Sequence, residues 1–314
     1  MATKTRVALL MGGRNSEREV SLSTGREVLA NLDPDRYQVE VFDPATDLGR
    51  LVAEAGNFDL AFPALHGRLG EDGAIQGLLE LLGLPYVGSG VLSSALAMDK
   101  RMAKEVLRAH GLTVATDMLA IKGQEPHTVV AKAAQQYGLP LVIKPIGQGS
   151  SVGLAIAGTE GEAVAGLRAA WELEDRVMLE RYIKGRELTC AVLGNNLARA
   201  LPPIEIRPAK GHAFFDYAAK YEPGQAEEIC PAGLSDKECH GVQNLAIAAH
   251  RALDCRGISR TDFILDARGI YYILEVNTLP GLTPNSLVPK AAAAAGCSFP
   301  KLLDELVRLV FEKE

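Results

Sequence analysis

The chain opens with a short, largely apolar run, Arg6 to Met11, cut by Gly12-Gly13 and followed by Ser16-Glu17-Arg18-Glu19. That Ser-x-x-Glu spacing predicts a capping box at the head of a helix. Tyr37 to Phe42 and Phe58 to Leu65 repeat the short apolar run, with helical stretches between and after them, including Gly73 to Leu82. Strand alternating with helix in this way predicts a parallel, right-handed βαβ sheet.

After Gly88-Ser89-Gly90, a polar-faced segment from Met98 to His110 predicts a helix that leads into a second unit. That unit reads as a strand at Asp117 to Ile121, a helix at His127 to Tyr137, and a strand at Leu139 to Lys144. The glycine- and serine-rich loop 147–153, a short strand, a helix at Glu160 to Trp171 and a strand at Val177 to Tyr182 complete it. A third unit begins near Gly185, with strands at Glu187 to Leu193 and Arg199 to Arg207, a loop, and a helix at Asp236 to Asp254. Val242, Leu245, Ala246, Ala249 and Leu253 form one apolar stripe on that helix. Strands at Ile258 to Leu265 and Ile270 to Val276, joined by Asp266-Ala-Arg-Gly269, predict a hairpin, and helices from Ser286 and Pro300 follow. The pattern predicts an α/β fold: a parallel-sheet domain at 1–100, then two α+β domains at 101–184 and 185–314. The 314 residues alone suggest about two domains at roughly 150 residues each.

Composition narrows the function. Lys and Arg number 33 against 39 Asp and Glu, and a net charge of −6 gives no electrostatic reason to expect nucleic acid or an anionic membrane as partner. The apolar run before Gly12 is too short for a signal-peptide core, and no stretch approaches the roughly 20 apolar residues of a spanning helix. Five scattered cysteines without a Cys-x-x-Cys pair are expected as free thiols of a cytoplasmic protein. Glycine is in excess, 31 residues, about a tenth of the chain against a usual 7% or so.

Candidate chemistry gathers in four places. Lys144 ends an apolar strand just before the Gly/Ser-rich loop, whose backbone N–H groups could cradle phosphate oxygens, although the spacing is not that of a P-loop. On the hairpin, Arg260 and Asp262 lie on one strand and Glu275 and Asn277 on one face of the other; two carboxylates and an amide suit Mg²⁺. Glu180 and Glu187 flank the junction at Gly185, where either could hold a purine amine or ribose hydroxyls, or be merely solvated. His66 follows the third strand at its carboxyl end, where it could orient or deprotonate a substrate, or simply sit beside a helix. His110, His127, His212, His240 and His250 are expected at the surface.

Taken in order, these motifs resemble the D-alanine–D-alanine ligases of the ATP-grasp superfamily from end to end. The resemblance runs through Gly12-Gly13 with Ser16 to Ser21, Leu65-His66-Gly67-Arg68 with Gly70 to Gly73, Tyr86 to Gly90, and Met98-Asp99-Lys100. It continues through Lys144-Pro145, Gly149 to Gly153, Asp216-Tyr217, Ala219-Lys220-Tyr221, Cys230-Pro-Ala232, Glu275 to Thr278, Pro280-Gly281 and Ser286 to Pro289. It implies two C-terminal domains that grip ATP and join two D-alanines through an acyl phosphate for peptidoglycan synthesis. By position, Lys100, Lys144, Ser150, Ser151 and Lys220 would meet ATP phosphates, Glu180 the adenine amine, the backbone near Ile183 the ring nitrogen, and Glu187 the ribose. Asp262, Glu275 and Asn277 would bind two Mg²⁺ (or Mn²⁺). Glu17 would hold the first D-alanine, with His66 nearby; Ser286 and Leu287 would hold the carboxylate of the second. Arg260 and the Gly281 N–H would stabilise the oxyanion, and a Glu17–Ser150–Tyr221 set would latch the covering loop. The family also implies a homodimer. A ligase for D-lactate or D-serine, and a non-catalytic nucleotide sensor, are the alternatives; Tyr221 argues against D-lactate, and the full Lys and carboxylate set against a sensor.

Overall fold

A computed structural model describes residues 3–149, 152–208 and 226–312. The expectations for Ser150, Ser151, His212, Asp216, Tyr217, Ala219, Lys220 and Tyr221 lie outside the described residues. The first part of the chain runs β1 (Thr5–Leu10), α1 (Arg18–Asn31), β2 (Tyr37–Phe42), α2 (Leu48–Glu54), β3 (Leu60–Pro63) and α3 (Ala74–Leu81). Its three strands are parallel in the order β2-β1-β3. Val7 to Leu10 are fully buried, because a central parallel strand is covered on both faces and so reads as an unbroken apolar run.

Next come α4 (Val91–Met98), α5 (Lys100–Ala109), β4 (Asp117–Ile121), α6 (Pro126–Tyr137), β5 (Leu141–Pro145), β6 (Ala155–Ala157), α7 (Glu160–Trp171) and β7 (Arg176–Arg181). Strands β4-β7-β5-β6 form an antiparallel sheet whose apolar face, with Leu141, Ile143 and Leu179, packs with Val130 of α6 and Leu167 of α7. The rest comprises β8 (Gly185–Leu193), β9 (Arg199–Ala200), β10 (Ile204–Pro208), β11 (Ala226–Ile229), α8 (Asp236–Ala252), β12 (Ile258–Asp266), β13 (Tyr271–Asn277), α9 (Leu287–Ala294) and α10 (Phe299–Val310). Here the sheet order is β11-β10-β8-β12-β13, all antiparallel, with β9 beside β8.

The cores do not follow the chain order. Ala103 and Leu107 of α5 share a core with Val242 of α8 and Phe263 of β12, so the helix before the second sheet is seated on the third. Leu302, Leu303 and Leu306 of α10 share a core with Val7 and Leu9 of β1.

Several expectations are corrected. The helix read from Met98 to His110 is α5, which begins only at Lys100, because Asp99 leaves helical geometry and its carboxylate accepts from the N–H groups of Arg101 and Met102, capping the helix; Met98 ends α4. The strand read from Arg199 to Arg207 is interrupted at Pro202-Pro203, which have no N–H to give to a ladder. The capping box at Ser16 does not form; Glu17 occupies the N-cap position without a side-chain cap, its N–H donating to Asn15 Oδ1 at 2.9 Å. A true capping box starts α8 instead, between Ser235 and Glu238.

His250, expected at the surface, is buried on α8 with Nδ1 2.7 Å from Ser259 Oγ; His110, His127 and His240 are exposed. Burial pushes the His250 imidazole down to about 4, because the charged form loses its hydration. A folded value below the unfolded value of about 6.5 means that His250 contributes stability fully above pH 6.5 and loses it as pH falls towards 4. That contribution is about 3 kcal/mol. Denaturant midpoints measured across this window should fall more steeply for the native chain than for His250→Gln.

Candidate active site

Two cavities share one cleft. The larger of the two, about 480 Å³, is lined by Glu17, His66, Arg260, Asn277, Gly281, Ser286 and Leu287, among others. The smaller, about 120 Å³, is lined by Lys144, Glu180, Ile183, Glu187 and Asp262, with an apolar wall that includes Val142, Leu154, Ile156, Ile264 and Leu274. Lys100 and Glu275 line both. The smaller cavity is a slot between the second and third sheets, shaped by β5, β6, β12 and β13.

The hairpin of β12 and β13 sits where the cavities meet. Its register pairs Asp262 with Glu275 and Arg260 with Asn277, and the pairing shifts just after Asp262. Arg260 reaches Asp262 through two N–H donors at 2.9 and 2.8 Å, and the Thr189 hydroxyl donates to Asp262 Oδ1 at 2.6 Å. Lys100 Nζ lies 3.7 Å from Glu275 and donates to the Gln148 carbonyl at 2.6 Å, tying the phosphate-loop candidate to the hairpin. Asn277 Oδ1 accepts from the Leu279 N–H at 3.0 Å and keeps a second lone pair. Arg260 and Lys100 thus balance the charge of the two facing carboxylates, whose oxygens with Asn277 Oδ1 are the donors that a hard cation takes. Among the described residues no group of three His, Cys, Asp or Glu could hold a metal by itself. Two carboxylates and an amide oxygen are a donor set that Mg²⁺ fits by completing its shell with phosphate oxygens and water.

In the slot, Lys144 Nζ lies 2.8 Å from Glu180 Oε2, and both side chains are almost fully buried. Glu180, read from the sequence as a carboxylate that could be merely solvated, is instead part of a buried ion cluster. Burial alone would push its carboxyl up, but Lys144 and Lys104 outweigh that and hold it below its usual range. Burial likewise works against the Lys144 ammonium, yet Glu180 raises it above its ordinary value, so both partners are ionised. Glu187, on β8, is half-buried and lines the same slot.

On the substrate side, the Glu17 carboxylate lies against two glycines. A Cβ at Gly67, whose φ of +66° already favours glycine, would stand 2.1 Å from Glu17 Oε2, and one at Gly149 would stand 2.7 Å away. His66 is buried with Nε2 2.9 Å from Thr24 Oγ1 and Nδ1 3.5 Å from Glu71 Oε1, so both ring nitrogens face residues of its own unit. Ser286 is the N-cap residue of α9, where unpaired backbone N–H groups favour a carboxylate. Its Oγ accepts from the Thr283 N–H at 3.1 Å, and a Cβ at Gly281 would stand 2.9 Å from that oxygen.

Sequence reasoning missed Thr189, Thr24, Glu71 and Lys104. Thr189 faces Asp262 only because β8 pairs with β12, a contact between strands some 70 residues apart that no local pattern reveals. Lys104 carried a signal that could have been used: it lies one helical turn after Lys100, on the same helix face.

The D-ala D-ala ligase C-terminus family matches residues 106–308, and the D-ala D-ala ligase N-terminus family matches 46–89. The chain is 51% identical to a D-alanine–D-alanine ligase of Desulfotalea psychrophila, covering 99% of this chain and 97% of the relative. It is 50% identical to one of Syntrophobacter fumaroxidans, covering 98% of each. Among solved structures it resembles the Bacillus anthracis D-alanine–D-alanine ligase complexed with ATP, with a TM-score of 0.85 at 36% identity, covering 98% of this chain and 97% of that one. It also resembles the VanG D-Ala:D-Ser ligase of Enterococcus faecalis, with a TM-score of 0.84 at 30% identity, covering 98% of this chain and 100% of that one. With both family matches, end-to-end relatives and the fold in agreement, the chain belongs to the D-alanine–D-alanine ligase family.

Proposed function

We propose that the chain catalyses the ATP-dependent joining of two D-alanines into D-alanyl-D-alanine for peptidoglycan precursors. The observation that carries this reading is that Lys100 and Glu275 line both cavities. A nucleotide whose base fills the apolar slot then delivers its terminal phosphate to the mouth of the substrate cavity.

In this reading Glu180 accepts from the adenine amine, the backbone near Ile183 meets the ring nitrogen, and Glu187 meets the ribose. Lys100 and Lys144 hold the phosphates, with Ser150, Ser151 and Lys220 joining them from outside the described residues. Glu17 binds the ammonium of the first D-alanine, and the N-terminus of α9, with Ser286 and Leu287, binds the carboxylate of the second. The first carboxylate attacks the γ-phosphate to give an acyl phosphate and ADP. The second amine then attacks the acyl carbon, and Arg260 and the Gly281 N–H stabilise the tetrahedral oxyanion until phosphate leaves. Asp262, Glu275 and Asn277 are the residues that would hold two Mg²⁺ or Mn²⁺, which when bound neutralise charge on the transferring phosphoryl group. The resemblance gives Tyr221 and Ser150, which lie outside the described residues, a part with Glu17 in excluding water, since an acyl phosphate is otherwise hydrolysed. A cytoplasmic homodimer belongs to the same reading; among the described residues no helix is long and apolar enough to cross a membrane.

The test is phosphate release from ATP and Mg²⁺ with D-alanine, D-serine, D-lactate or L-alanine in parallel. Release is expected with D-alanine and the dipeptide as product. No release with D-alanine sinks the reading, and faster release when D-serine is added moves it to a D-alanine–D-serine ligase.

A further inference from the structure

Beneath the nucleotide slot, the register of β4 and β7 sets Asp117 directly opposite Glu180, two buried carboxylates on neighbouring strands. Like charges in that position repel, and more strongly away from water. A third element resolves the conflict. Lys104 enters from α5, 1% exposed, with Nζ 3.0 Å from Glu180 Oε2 and 3.2 Å from Asp117 Oδ1. The two carboxylates are not equally dependent on it. Asp117 also meets Arg108 and lies 3.8 Å from Arg101, whereas the cations on Glu180 are Lys104 and Lys144. Lys144 is assigned above to ATP phosphates, so its hold on Glu180 is shared once nucleotide binds. Lys104 lies too deep for that, and it stays with Glu180 in the loaded enzyme.

We propose that Lys104 is a positioning residue for base selection, keeping Glu180 ionised and aimed into the slot so that it accepts from a 6-amino purine and rejects a 6-oxo purine. The chemistry is a matter of donors and acceptors. An ionised carboxylate only accepts hydrogen bonds, so it pairs with an amino group and faces the oxygen of a 6-oxo purine lone pair to lone pair. A carboxyl that has taken a proton can donate, and the discrimination goes. Lys100 and Lys104, one turn apart on α5, thereby serve the phosphate and base ends of one ligand.

This inference rests on the nucleotide reading of the slot, and the experiment separates the two. Thermal stabilisation of the full chain by ATP and by ITP, each with Mg²⁺ and no D-alanine, is titrated for the native chain, Lys104→Met, Lys104→Arg, Glu180→Gln and the Lys104→Met/Glu180→Gln pair. Lys104→Met is expected to lower the ATP-over-ITP affinity ratio at least tenfold, and Lys104→Arg to retain most of it. KM for ATP should rise about tenfold in Lys104→Met with KM for D-alanine unchanged. Because Lys104 acts through Glu180, adding Lys104→Met to Glu180→Gln should change the ratio no further, a comparison that stands even if the single variant does not fold. A ratio preserved in Lys104→Met, or a further fall in the pair, overturns the role of Lys104 while leaving the nucleotide site intact. A native chain that ATP does not stabilise overturns both.

Discussion

Arg260→Met should lower kcat about 10²–10³-fold while leaving KM for ATP within a few-fold. The expectation follows from where Arg260 stands. It projects from β12 beside the shared mouth of the two cavities and is held by two hydrogen bonds to Asp262, so its guanidinium is fixed before substrate arrives. A donor fixed in that way costs little reorganisation when charge develops on the oxyanion, which is why its removal acts on the chemical step. Lysine is a poor substitute, because a single ammonium cannot grip Asp262 with two parallel donors and still face the cavity. Pre-steady-state measurement of dipeptide formation distinguishes this from damage to nucleotide binding; a large rise in KM for ATP with kcat intact would refute the assignment.

Glu275→Gln should abolish measurable ligation, a fall of at least about 10³-fold, and raise the Mg²⁺ concentration needed for any residual activity. The substitution is nearly isosteric, so the β12–β13 pairing keeps its shape; what is lost is the negative charge, and with it the ion pair to Lys100 at 3.7 Å. A divalent ion that stabilises phosphoryl transfer by several kcal/mol depends on that charge, and an amide oxygen binds it far less tightly. Chelation of divalent ions from the native chain should reproduce the loss and Mg²⁺ should reverse it. Full activity in Glu275→Gln would remove Glu275 from the metal set.

How much of this was legible in the chain depended on whether the relevant contacts were local. The β12–β13 hairpin was readable because four residues separate its strands in the reading and period-2 spacing does the rest; the register then places Asp262 against Glu275. The parallel first sheet was readable for a similar reason, since uninterrupted apolar runs between helices leave few alternatives. What escaped depended on distant pairing or on competition between local signals. β11, with the sequence Ala-Glu-Glu-Ile, carries no strand signal of its own and exists because the edge of β10 accepts it. Ser16-x-x-Glu19 and Ser235-x-x-Glu238 have the same spacing, yet only the second forms a box; around the first, Glu17 lies against Gly67 and Gly149 and Arg18 pairs with Asp43. The depth of Glu180 was likewise invisible, because the lysines that make its burial tolerable come from α5 and β5.

The seating of α10 on the first sheet bears on how the chain must be made. Synthesis delivers β1, β2 and β3 before α10, and a domain ordinarily folds as a unit once its residues have been made. Here Val7 and Leu9 belong to the same core as Leu302, Leu303, Leu306 and Val307, so part of that core is supplied almost three hundred residues later. Until then Val28 of α1 and Leu32 cover that core only in part, and its native packing is completed by a late event that closes a very long loop. The first sheet therefore cannot complete its packing before α10 has been made, so the folding of the two is coupled across almost the whole of the described chain.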